Sequence, residues 1–105
     1  MTDIVSVYAT FPDRAEAERI GRRLIEERVA ACVNILGPCR SIFRWQGVIE
    51  EADEVAAIFK TTATQAERLV GRLSELHSYD VPAAVVWPIG RSIPAYANWV
   101  STETG

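Results

Sequence analysis

Two helical stripes divided by one long extended tract leave few folds open to this chain. The first stripe is Ala17, Ile20, Leu24 and Ile25, recurring at helical spacing behind Asp13 and Glu16, which have the spacing of a capping box in its Asp variant. The second is Ala66, Leu69, Val70, Leu73 and Leu76, opened by a Thr64–Glu67 capping box. Between them lies a strand from Ala30 to Ile35, kinked rather than ended by Gly37-Pro38, that resumes at Ser41-Ile42-Phe43-Arg44-Trp45. A third strand runs from about Glu54 to Thr61. The turn joining these strands fits Gln46-Gly47 or Glu51-Ala52-Asp53. The second is preferred, because it sets the acidic cluster at a solvated tip where like charges repel least.

The flanks complete the pattern. Ile4 to Ala9 is β-branched and stopped by Thr10-Phe11-Pro12, so it reads as a buried first strand. Ala83 to Trp87 reads as a fully buried last strand closed by Pro88. Ser92 and Pro94 open a short C-terminal helix with Tyr96, Trp99 and Val100 on one side. The order β-α-β-β-α-β defines an α+β fold of the split βαβ kind: a four-stranded antiparallel sheet with two helices on one face, in a single domain over residues 1–105. The long strands carry Phe43, Trp45, Val48, Ile49 and Phe59, more apolar surface than a monomer exposes, and a closed ring of copies would hide it.

Composition narrows the partners. Acidic residues number 14 against 11 basic, so no positive field draws nucleic acid. No apolar run approaches the roughly 20 residues that cross a bilayer, and Met1-Thr2-Asp3 begins no leader peptide; cytoplasmic residence is the expectation. The two cysteines, Cys32 and Cys39, match neither a CxxC pair nor a zinc-ligand spacing, and are expected as free thiols. Lys60, the only lysine, reads as a solvated strand end or as an anion ligand.

Ala30-Ala31-Cys32-Val33-Asn34-Ile35, the block from Ser41 through Trp45-Gln46-Gly47 to Glu50, the strand from Glu54 to Thr61, and His77-Ser78-Tyr79-Asp80-Val81-Pro82 together resemble the CutA family over nearly the whole chain. The resemblance implies a ferredoxin-like fold, a homotrimer paired through long hairpins, cytoplasmic residence, and tolerance of copper and other divalent cations. The trimeric shape is similar to the PII signalling proteins, so a small-ligand or partner-docking module is the alternative. The family loop usually reads His-Pro-Tyr-Glu-Val-Pro-Glu, whereas Ser78, Asp80 and Ala83 stand here. Ala9 and Leu76 occupy positions where some relatives carry a Cys and a second His as proposed copper ligands.

His77, the only histidine, is the candidate metal ligand, since neutral imidazole suits copper or zinc; it also reads as a helix C-terminal residue. Asp80 is the candidate second ligand, the residue that orients the ring, or an ordinary loop residue. Glu50, Glu51, Asp53 and Glu54 lack EF-hand spacing and read as a hairpin tip. Trp45 and Tyr96 either line a ligand cleft or pack in core and interface. Catalysis is not expected: no Gly-rich phosphate loop follows the first strand, and the single His completes no triad. The RNP aromatics of an RNA-binding sheet are missing as well.

Overall fold

The computed structural model describes residues 3–105. Its elements are β1 (Ile4–Phe11), α1 (Arg14–Glu26), β2 (Cys32–Trp45), β3 (Val48–Thr62), α2 (Ala66–Leu76), β4 (Ala84–Pro88) and α3 (Pro94–Glu103). The sheet order is β2-β3-β1-β4 with every pair antiparallel, so α1 and α2 each carry the chain across an intervening strand. Alternation along β1 and β3 turns Val5, Val7, Ala9, Phe11, Ala57 and Phe59 toward the helices. There they bury against Ala17, Ile20 and Leu24 of α1 and Leu69 and Leu73 of α2. Each fully buried large side chain contributes about 1.5–3 kcal/mol of transfer free energy. The other face is covered only at one end, where Ala97 and Val100 of α3 pack on Ile4 and Ala31.

Asp13 caps α1 as its spacing indicates, its Oδ1 accepting the Glu16 N–H at 2.8 Å. The helix stripe is narrower than expected, because Ile25 remains 38% exposed. The kink is a bulge between Ile35 and Gly37, and Gly37 takes φ 106°, a left-handed conformation that costs glycine nothing. Cys32 pairs with Lys60 and Cys39 with Glu54, seven residues apart along β2. At about 3.3 Å per residue the thiols are roughly 20 Å apart, too far to bridge in any redox compartment.

Several expectations are corrected. The turn falls at Gln46-Gly47, with φ of 51° and 82°, not at Glu51-Ala52-Asp53. Paired left-handed residues match the right-handed twist of the strands they join. The acidic cluster is therefore strand, not tip: Arg40, opposite Asp53 in register, holds Asp53 at 3.0 Å and Glu51 at 3.3 Å. The Thr64–Glu67 box does not form, since Thr64 Oγ1 lies 3.1 Å from Thr62 Oγ1 and α2 starts without a side-chain cap. Ile93, not Ser92, precedes the first turn of α3. β4 is not fully buried. It pairs only with β1, and Val85, Val86 and Trp87 are 41–46% exposed: Val85 and Trp87, opposite Tyr8 and Ser6, lie on the face away from α1 and α2, and Val86 lies on an edge strand.

Because β1 pairs with β3 only from Val55 onward, the stretch Cys39–Trp45 with Val48–Glu54 leaves the sheet as a two-stranded arm. It extends the chain to 45 Å in its longest dimension.

At the opposite surface, Arg72 of α2 clasps Glu27 just beyond α1, Nε donating to Oε1 at 2.8 Å and Nη2 to Oε2 at 2.9 Å, while Arg23 Nε reaches Oε2 at 2.6 Å. The Arg72 hydrogen bonds, opposed by desolvation and helped by Arg23, lower the Glu27 carboxyl from 4.5 to about 2. Between those values the unfolded chain binds the proton and the folded chain does not, so stability falls as pH drops. Acid titrations of unfolding on wild type and Arg72→Met will show a shallower loss below pH 4.5 in the variant. Superimposable curves would mean that solvent has screened the clasp.

Candidate functional site

The loop after α2 is held from three sides. His77 leaves the helix with φ −72° and ψ 145°, its N–H still donating to Leu73 O at 2.9 Å. Its fully buried ring stacks on Phe11 at 5.0 Å. Nε2 donates to the Thr10 carbonyl at 2.8 Å, and Nδ1 accepts the Tyr79 N–H at 3.1 Å. Those partners select the neutral Nε2–H tautomer. Glu16, in the first turn of α1 and 7% exposed, accepts from both the N–H (3.0 Å) and Oγ (2.9 Å) of Ser78. Instead of closing a capping box, its carboxylate anchors the loop.

Tyr79 ties the loop to the arm. Its hydroxyl donates to Glu54 Oε2 at 2.9 Å, and Ser41 Oγ donates to Glu54 Oε1 at 2.6 Å. Burial first, then the Glu54 bond and charge, push the Tyr79 hydroxyl up to about 12. It therefore remains a donor throughout the neutral range. Glu54 is 8% exposed and forms no ion pair among the described residues.

Loop, arm and sheet enclose an open cleft of about 680 Å³. Tyr8 and Thr10 form its floor, Phe43 and Trp45 come from the arm, and Glu50, Glu54 and Asp80 supply three carboxylates; no Lys, Arg or His is among the lining residues. Asp80 stands exposed at the cleft while His77 is buried behind it, and no hydrogen bond or ion pair joins the two among the described residues. Nor do any three His, Cys, Asp or Glu gather into one ligand set there. Trp45 lines the cleft, but Tyr96 does not. It sits on α3 with its hydroxyl 3.5 Å from Cys32 Sγ, pushed up to about 12 by burial and then by that contact. Lys60 lies half-exposed opposite Cys32, away from the cleft. Sequence reasoning missed Glu16, the partner of Ser78, and Tyr79 as anchors, and Glu54 as the partner of Tyr79. The available signal was strand parity, which puts Glu54 on the same face as Ala56 and Ile58, beneath the loop.

An α+β protein of the ferredoxin-like class, with a protruding hairpin arm and an acidic, aromatic cleft at its base, is what fold and site define. Residues 5–103 match the family described as CutA1 divalent ion tolerance protein. The divalent-cation tolerance protein CutA of Pyrococcus horikoshii is 42% identical over 101 residues, covering 96% of this chain and 98% of its own. The crystal structure of CutA from Xylella fastidiosa superposes with a TM-score of 0.95 at 38% identity, covering 99% of this chain and 100% of its own. This chain belongs to the CutA family. A further neighbour, the CutA of Archaeoglobus fulgidus, has a TM-score of 0.92 at 38% identity, covers 95% of this chain and 97% of its own, and is described as periplasmic. That description overturns the expectation of cytoplasmic residence. No helix among the described residues is long and apolar enough to cross a membrane, but that property does not specify a compartment, and Met1-Thr2 lie outside the described residues.

Proposed function

We propose that this chain serves divalent-cation tolerance as a non-catalytic homotrimer that binds copper or another divalent cation at the acidic cleft. The carrying observation is a cleft lined by Glu50, Glu54 and Asp80 with no basic residue. Negative walls of low dielectric concentrate cations. Asp80, exposed and free of ion pairs among the described residues, is the proposed ligand from each chain. His77 joins it only by giving up its bond to Thr10 or Tyr79, so in this reading it positions the loop, and further donors come from a neighbouring copy.

The arm supports the trimer. A two-stranded ribbon is marginal alone, and its Ile42, Val48 and Ile49 are 59–66% exposed, while β2 and β4 both leave an unpaired edge. Cu(II) calorimetry beside sedimentation analysis checks both statements. About three chain masses are expected, with Asp80→Asn weakening Cu(II) by at least roughly tenfold. Unchanged affinity in Asp80→Asn would move the site elsewhere. Absence of Cu(II) heat would favour the PII-like docking module, a reading that the engaged ring nitrogens of His77 also support.

A further inference from the structure

The buried carboxylate of Glu54 is the observation that leads beyond a metal ion. It is 8% exposed, and both its oxygens accept from neutral hydroxyls, Ser41 and Tyr79. Its charge has no opposite partner among the described residues. Taking a carboxylate out of water without a counter-charge is costly, and hydroxyl donors offset only part of that cost. The arginines of the arm are engaged elsewhere, Arg40 with Glu51 and Asp53, and Arg44 with the Gly47 carbonyl. No cation of the chain pairs with Glu54 among the described residues, and the cleft that it lines is open to one from outside.

We propose that the cleft takes an organic ammonium ion, its charge facing Glu54 and Glu50 and its alkyl shell against Trp45, Phe43 and Tyr8. This rests on the cation-binding reading of the cleft and names a second class of cation for it. In the single chain Trp45 and Phe43 are 45% and 40% exposed, and aromatic rings attract cations whose hydration is weak. A metal ion demands several donors converging on one point, and no three of them gather among the described residues. An ammonium ion needs no such convergence: a negative wall and apolar ring surface suffice. The 680 Å³ opening also falls in the range of small-molecule sites, far above what one metal ion requires.

The test titrates the trimer with tetramethylammonium chloride at fixed ionic strength, by calorimetry, against tert-butanol as an uncharged near-isostere. Tetramethylammonium should bind at least about tenfold more tightly than tert-butanol, and Trp45→Leu should weaken it by about tenfold. If Trp45→Leu alters the sedimenting mass, Glu50→Gln decides in its place, by the same loss of affinity. Equal binding of tert-butanol would overturn the proposal, leaving an apolar hollow. So would affinity that survives both substitutions, or absence of tetramethylammonium heat, the result expected if a second copy fills the cleft. Cu(II) is titrated into the same wild-type samples. Cu(II) heat without tetramethylammonium heat sinks this inference alone, and loss of both sinks the cation reading with it.

Discussion

Phe11→Ala is expected to destabilise this protein by about 3–5 kcal/mol, the cost of deleting a fully buried aromatic ring and leaving its cavity. Phe11 closes the end of β1 where two structures meet. One side of its ring packs on Phe59 at 6.5 Å in the main core, and it stacks on His77 at 5.0 Å. Its removal therefore opens the core and also removes the platform on which the loop rests. Urea unfolding should show the midpoint falling with little change in slope, and cation affinity should fall with it. A loss below about 1 kcal/mol would mean that the site collapses to fill the void, and that the core is less tightly packed than the full burial of Phe11 and Phe59 implies.

His77→Ala is expected to cost about 2–4 kcal/mol in protein stripped of metal. The substitution leaves the Thr10 carbonyl and the Tyr79 N–H without partners in a buried place and removes a stacked ring. His77→Gln, which can donate to one of these groups and accept from the other, should recover part of the loss. This pair of variants separates two roles that a binding assay alone confuses. A residue that acts only as a ligand leaves metal-free stability unchanged when it is replaced, whereas a positioning residue lowers it. Denaturation in the presence of a chelator decides the matter, and unchanged stability would return His77 to the ligand set.

These predictions concern contacts between residues far apart in the chain, and those contacts were the part least legible beforehand. Helices α1 and α2 followed from their apolar stripes, α1 with its Asp13 cap, and the Gly37 interruption was recognisable as a kink. The α+β order and the family were readable too, because each rests on local periodicity or on a long run of specific residues. The turn was misplaced because a row of acids suggested a solvated tip, when two of them, Glu51 and Asp53, face Arg40 across the ladder. β4 was misread as buried because an unbroken apolar run records what a strand is able to pack against, not whether a neighbour is there.

The cleft was legible only in parts. Asp80 and Trp45 were singled out and do line it; Tyr96 was also singled out and lies elsewhere. Glu16, Glu54 and Tyr79 acquire their roles through partners 62 and 25 residues away, and no local pattern encodes such pairings. By itself the sequence determined the elements, their order and the family, since helical period, strand alternation and caps act within a few residues. Only the tertiary structure decided which faces stay bare, which carboxylate is buried without a counter-charge, and that the sole histidine holds the loop through both ring nitrogens, because those outcomes depend on the register and packing that bring distant segments together.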